Sequence, residues 1–449
     1  MSDSLGAAGV HMANGFDPRE GADVAPEVAR LLQRRDRVLG PAYRLFYEKP
    51  VAVREAHGAR LTGHDGRVYL DAYNNVPVIG HSHPKVRQAV AEQLGRLNTH
   101  TRYLTEPIIE YSERLLATFP DPLSRVTYAC TGSEAVDLAI RIARHRTGRS
   151  GIIISQHAYH GTTVAAAQLS PSLGPNNRLG EHVVTVPSVD TARTPVSEVG
   201  PRMTASVRRA VEELEGRGDG VAAVIFDSVL SSDGVQTEPA GFLRGAAEVV
   251  RAAGGLYIAD EVQAGFGRTG GWWGFERHGL LPDLAVLGKP MGNGMPISAV
   301  VGTLDAQERF GSEVRYFNTF GGNPVSIAAA AAVLDVLEEE GLLAHARHTG
   351  DRLLAGLRRI MADNERVFHV RGAGMFLAAD LGQPDDPSAP DPRLATRVVN
   401  GMREAGVLIS ASGPAAASLK IRPPLAFTED DADELLEVLE KVVATESRQ

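Results

Sequence analysis

From Gly151 onward the chain alternates short, unbroken apolar runs with stretches of helical periodicity, and that alternation limits the folds open to it. Residues 151–155 read as a buried strand, followed by 182–186, 221–226, 256–260, 284–287 and 297–301. Each run is too short for a helix and too continuously apolar for a strand with one wet face. Helical patterns cover residues 134–145, 203–215 and 242–252. Strands separated by helices return by crossovers, which makes neighbours parallel and puts helices on both sheet faces. The expected fold class is α/β, with a mostly parallel sheet sandwiched by helices.

After Asn323 the pattern changes. One Ala-rich helix is expected over 324–340 and another over 342–362, then strands at 367–370 and 375–380, a helix at 393–404 and a last helix at 430–443. The Pro- and Asp-rich stretch 383–392 reads as an exposed loop. These elements suggest a smaller α+β domain. The expected division is a mobile arm over 1–25, an N-terminal segment of the small domain over 26–80, a large domain over 81–335 and the rest of the small domain over 336–449.

Composition removes several function classes. The net charge of -9 argues against nucleic acid as a partner, since phosphate binding needs clustered positive charge. No apolar run reaches the roughly 18 residues of a membrane span. Residues 1–25 lack the basic start and apolar block of a secretory signal. With one cysteine, Cys130, no internal disulfide framework is possible, and a cytoplasmic setting is expected.

Four features of the α/β region carry chemistry. Thr131-Gly-Ser-Glu-Ala135 precedes a helical pattern, so its free N–H groups suit a phosphate, although Ser133 and Glu134 equally suit a plain helix cap. Asp260-Glu261 ends a strand, where parallel sheets gather ligands. A carboxylate there could hold a metal, neutralise a ring nitrogen or cap the next element; no His or Cys follows at ligand spacing, and no metal is expected. Lys289 lies just past a strand in Gly288-Lys-Pro-Met-Gly-Asn-Gly294. It is either a surface lysine on a tight loop or an enclosed amine nucleophile. Asn318-Thr-Phe-Gly-Gly-Asn323 opens a helix and offers a second set of phosphate donors, Thr319 among them. Tyr159 could stack on a flat ring. His81 and His83 flank a serine and read as structural or substrate-facing. Together these parts match the needs of a pyridoxal 5'-phosphate (PLP) site.

The block Ala259-Asp-Glu-Val-Gln-Ala-Gly-Phe-Gly-Arg-Thr-Gly270, with Gly288-Lys289 and Asn318–Asn323, resembles the class III aminotransferases, of PLP fold type I. The resemblance runs from about residue 59 to about 439. It implies that Lys289 is joined covalently to the cofactor and that Asp260 pairs with the pyridine nitrogen. It places Val262 and Tyr159 on the two ring faces, Gln263 near the ring hydroxyl, and Gly132 and Ser133 on the phosphate. Thr319 would reach the phosphate of a neighbouring subunit in a homodimer. Two positions depart from many relatives: Asp227-Ser228 stands where Glu-Pro is frequent, and Val136 where Asn is frequent.

Within the family, Leu70-Asp-Ala-Tyr-Asn-Asn-Val76 and Leu97–Leu104 resemble the branch holding alanine–glyoxylate transaminase 2-like enzymes and phospho-lyases. Two reactions follow: amino transfer from an α-amino acid such as glutamate or alanine to a carbonyl acceptor, or elimination of phosphate or hydroxyl from an amino substrate. In aminotransferases of the family the arginine matching Arg422 grips a substrate carboxylate, whereas the phospho-lyases carry lysine there. A surface ion pair is the plainer alternative for Arg422. Tyr73, Asn74, Asn75, Arg102 and Tyr103 are expected near the substrate. That substrate could be an ω-amino acid, a keto acid or an amino sugar of secondary metabolism.

Overall fold

The apolar runs fold as strands, and their order shows where a ligand can sit. The structure is a computed structural model that describes residues 14–17 and 23–448. In chain order the strands are β1 (Val53–His57), β2 (Arg60–Gly63), β3 (Val68–Asp71), β4 (Leu123–Ala129), β5 (Gly151–Ser155), β6 (Val183–Val186), β7 (Val221–Asp227), β8 (Leu256–Asp260), β9 (Leu284–Leu287), β10 (Ser298–Thr303), β11 (Val367–Ala373), β12 (Phe376–Leu381), β13 (Val407–Leu408), β14 (Ser410–Ser412) and β15 (Ser418–Ile421).

A seven-stranded sheet runs β4-β10-β9-β8-β7-β5-β6. Its pairs are parallel from β9 to β6, while β10 is antiparallel to both β9 and β4. The sheet is thus mostly parallel, with one reversed strand. Every residue of β5 and β9 is buried, because helices cover both faces. Among the covering helices, Gly132–Thr147 buries Ala135, Val136, Leu138, Ala139, Ile142 and Ala143 along one stripe and ends at left-handed Gly148. Each large aliphatic side chain so buried contributes about 1.5–3 kcal/mol. Val136, the departure from Asn, is a wholly buried packing residue there.

Two smaller sheets complete the protein. One, β1-β2-β3-β13, joins residues before 72 to residues after 406; the other, β11-β12-β15-β14, is antiparallel throughout. This last sheet is tied to the loops that leave the carboxyl ends of β7 and β8: Arg371 reaches Gly234 and Val235, and Arg422 reaches Gln263. The fold therefore places a roof over the strand ends.

Several elements differ from expectation. The helix expected over 203–215 spans Val196–Arg217 and carries Pro201 within it. At the sixth helical position that proline gives up one intrahelical hydrogen bond, to the Ser197 carbonyl. Strands β1 to β4 and the helices Pro26–Val38, Pro84–Leu94, Glu106–Ala117 and Leu304–Glu313 had no counterpart in the sequence reading. The stretch after Gly382 is exposed over residues 383–386 and closes through a Gly382–Pro390 bridge. Of the expected arm over 1–25, residues 14–17 lie against the body, with Tyr47 N–H on the Asn14 carbonyl at 2.7 Å and Phe16 N–H on that of Leu45 at 2.9 Å. Residues 1–13 and 18–22 lie outside the described residues. Among the described residues no helix is long and apolar enough to cross a membrane.

Candidate active site

One cavity at the strand ends is lined by Gly132, Ser133, Tyr159, His160, Gly161, Asp260, Val262, Gln263 and Lys289. Four separate chain segments thus meet there, and all the expected cofactor residues except Thr319 are among them.

The phosphate end is the start of the helix Gly132–Thr147. Thr131 and Glu134 form a reciprocal capping box, with Thr131 Oγ1 accepting the Glu134 N–H at 3.2 Å and Glu134 Oε2 accepting the N–H groups of Cys130 and Thr131 at 2.9 Å. The cap is made by Thr131 with Glu134 rather than by Ser133, whose Oγ lies in the cavity and accepts the Thr162 N–H at 3.0 Å. The Gly132 and Ser133 N–H groups have no acceptor among the described residues. Free N–H groups at the positive end of a helix are donors for an anion.

Asp260 ends β8. Its Oδ1 accepts the Val262 N–H at 3.0 Å, and its Oδ2 lies 2.7 Å from His160 Nδ1. Both side chains are buried, so the imidazole fixes the direction of the carboxylate. His160 Nε2 has no partner among the described residues. Glu261 points to the opposite side of the chain, as alternation requires. It accepts the Ser228 hydroxyl and the Gly274 and Phe275 N–H groups, and burial pushes its carboxyl up to about 7. The acidic pair is split between a site residue and a framework residue, and no cluster among the described residues is placed to hold a metal ion.

Lys289 comes two residues after β9 and opens the short turn Lys289–Gly292. Its side chain is open to the cavity but walled by protein, and that enclosure pulls its pKa down, with Asp260 opposing. The Nζ lies 5.8 Å from the Tyr159 ring centroid. A Cβ on Gly132 would stand 3.2 Å from both Val262 methyl carbons, so glycine lets the helix start approach the cavity wall. An enclosed amine, a fixed carboxylate, an aromatic wall and free N–H donors are the groups that PLP needs.

The expected substrate residues divide. Arg422 is buried rather than a surface ion pair; its Nη1 donates to Gln263 Oε1 and its Nε to the Tyr73 carbonyl at 3.2 Å. Tyr73 packs against the guanidinium at 5.0 Å. Asn75 is buried with both amide ends engaged, on the Gln263 carbonyl at 3.0 Å and the Arg268 Nε at 2.9 Å. Asn74 caps its own turn by accepting the Val76 N–H. Arg102 is exposed over the Phe317 ring at 3.7 Å, and Tyr103 stacks on His100; neither lines the cavity of its own chain, nor does Thr319. His81 pairs with Asp71 at 2.7 Å, and His83 lies 3.7 Å from Glu340.

Three residues take places in the site that the sequence did not assign them. His160 is one, because its contact with Asp260 spans 100 residues of sequence. Asp227, paired in register with Asp260, turns inward to accept the Val229 and Ser231 N–H groups and the Ser231 hydroxyl. Burial raises its pKa, and the Asp260 charge adds to that. Lys420, on β15, is buried beneath the site; the one signal for it was its place two residues before Arg422.

An open α/β sheet with an enclosed lysine and a paired carboxylate at its strand ends defines a fold type I PLP-dependent enzyme. Comparison with known proteins agrees. The family model "Aminotransferase class-III" matches residues 46–443. An alanine–glyoxylate aminotransferase 2-like protein of Drosophila melanogaster is 38% identical over 90% of this chain and 85% of its own length. An ethanolamine-phosphate phospho-lyase homolog of Caenorhabditis elegans is 34% identical over 93% of this chain and 94% of its own. The structure of a phospholyase from Arthrobacter in complex with phosphoethanolamine superimposes with a TM-score of 0.90 at 43% identity, covering 92% of this chain and 99% of that one. The chain belongs to the class III aminotransferase family, and its cofactor is PLP.

Proposed function

We propose that the enzyme transfers an amino group from an α-amino acid, glutamate or alanine, to a small carbonyl acceptor. The observation that carries this reading is Arg422, a buried guanidinium beside the cofactor cavity whose hydrogen bonds run only to neutral acceptors. A planar cation held there without a carboxylate partner suits a carboxylate brought by substrate.

When bound, PLP supplies an aldehyde that joins amines and a protonated ring that draws electrons from the substrate carbon. The residues of this chain do the rest. Lys289 Nζ holds the cofactor and, once displaced by a donor amine, takes and returns the proton of the substrate carbon. Its lowered pKa keeps a share of the amine unprotonated for that work. Asp260 keeps the ring nitrogen charged, and His160 holds Asp260 in place. Tyr159 and Val262 close on the ring, Gln263 faces its hydroxyl, and Gly132 and Ser133 bind the phosphate.

A homodimer with shared sites accords with this reading: Thr319 is exposed outside its own cavity, between the exposed aromatic residues Phe317 and Phe320 of the same segment. The division into 81–335 and a small domain of 26–80 with 336–449 is supported by the pairing of β3 with β13. A cytoplasmic setting accords with the one free cysteine.

Elimination is the second reading, favoured by the likeness to the Arthrobacter phospholyase. The two separate in one assay. Holoenzyme given glutamate or alanine should form a new amine only when a keto acid or aldehyde acceptor is added. Inorganic phosphate released from phosphoethanolamine with no acceptor present would put elimination first. Failure of borohydride reduction to place a pyridoxyl label on Lys289 would remove both.

A further inference from the structure

The turn that follows β7, residues 229–236, is strained and held from two sides. Leu230 and Val235 lie at φ 42° and 63°, a region that residues with a Cβ, and β-branched ones above all, rarely adopt. From the seven-stranded sheet and the loop after β6, the Ser155 and Ser188 hydroxyls donate to the Asp233 carboxylate. From the C-terminal sheet, Arg371 donates to the Gly234 and Val235 carbonyls, and Lys420 Nζ donates to the Ser231 carbonyl at 3.2 Å.

Ser231 is the hub of this turn. Its hydroxyl donates to Asp227 and receives the Gln263 Nε2–H, and Gln263 is the member of the network that lines the cofactor cavity. Lys420 is buried, packs against the Phe376 ring at 5.4 Å and makes no ion pair among the described residues. Burying an ammonium for a single carbonyl is costly, and a methionine would fill the same space. The contact with Ser231 is what the amine adds.

We propose that Lys420 is a positioning residue for the cofactor site, acting from β15 through the Ser231 carbonyl to fix the Gln263 amide in the wall of the cavity. Arg422, one residue beyond β15, bonds the other end of that amide. The segment that brings in the substrate-side guanidinium therefore also sets the cofactor-side glutamine. The inference rests on the cavity around Lys289 being the PLP site.

The test uses PLP rebinding to apoenzyme, together with the pH titration of the visible band of the Lys289-linked cofactor. Lys420→Met should weaken rebinding about tenfold, the worth of one buried hydrogen bond to a polar group. It should also shift the titration midpoint, and Lys420→Arg should restore most of both. Ser231→Ala should reproduce the loss, and Lys420→Met should add little in that background. The proposal is overturned if Lys420→Met lowers thermal stability alone, or if its effect is equally large with and without the Ser231 hydroxyl. Should Lys420→Met not fold, Ser231→Ala by itself must weaken rebinding, and normal rebinding in that variant overturns the proposal. Peptide mapping of the borohydride-reduced wild type separates these outcomes from failure of the cavity assignment.

Discussion

Gly161 stands at φ 136° beside the phosphate end of the cavity, and an alanine there meets two separate costs. The first is conformational: that backbone region costs a residue with a Cβ about 1–3 kcal/mol, with or without ligand. The second is local. The added Cβ would lie 2.3 Å from Ser133 Oγ, 2.7 Å from its Cβ and 2.8 Å from its Cα. Ordinary contact is about 3.5 Å, so Ser133 must retreat by about 1 Å. That retreat breaks the 3.0 Å bond from Thr162 N–H and withdraws the hydroxyl from the phosphate. A hydrogen bond to a charged group is worth about 1.5–3 kcal/mol, so PLP affinity should fall about 10- to 150-fold. The assay is absorbance titration of apoenzyme with PLP, beside thermal unfolding of the apo form. Ser133→Ala is the control and should lose affinity without the conformational loss in stability. PLP affinity of Gly161→Ala within about threefold of wild type would refute the placement of Ser133 in the phosphate cradle.

Three further outcomes are expected. His278 is buried with Nε2 donating to the Ser228 carbonyl at 2.8 Å, and burial pushes its pKa from 6.5 down to about 4. The unfolded chain therefore takes up this proton first. The stability His278 contributes is whole above pH 6.5 and drains away by about 3 kcal/mol as pH falls toward 4. Denaturant unfolding at both ends of that range should show a steeper acid loss for wild type than for His278→Gln, and equal slopes would contradict it. In Gly350→Ala the new Cβ would sit 2.2 Å from the Gly374 carbonyl oxygen. The variant should lose about 1–3 kcal/mol or more in unfolding while keeping its visible cofactor band; an unchanged midpoint counts against the close helix approach. Arg422→Lys should lower kcat/KM for α-amino acid donors about 10- to 100-fold through loss of the forked contact. An equal drop with an amine that has no carboxylate would show that Arg422 does not grip the donor.

The central sheet was legible because its evidence is local. A strand buried on both faces must be apolar at every position, and β5, β7 and β9 are so along almost their whole length. Lys289 and Asp260 were legible for a related reason: Asp260 closes such a strand and Lys289 comes two residues after one, so their place at the strand ends comes with the strands. The edge elements gave no such signal. Strand β1 is exposed at four of its five positions, and nothing in Val-Arg-Glu-Ala-His separates it from a loop. Strand β4 mixes buried and half-exposed residues, and its antiparallel place beside β10 is set by a partner some 170 residues away.

Side-chain partnership is what only the folded chain decides. The family resemblance named Gln263 and Arg422 as site residues, but their mutual bond spans 159 positions. The same holds for His160 against Asp260 and for Lys420 against Ser231, at 100 and 189 positions. Asn75 and Arg102, expected at the substrate, meet Arg268 and Phe317 in this chain, partners that no local pattern records. Periodicity reports whether a position is buried, because burial acts on one element at a time. It carries no trace of which distant group meets that position, since the meeting depends on how separate elements stack. The lysine, the carboxylate and the sheet were therefore present in the order of the residues, while the network that orients them exists only once the C-terminal sheet closes over the strand ends.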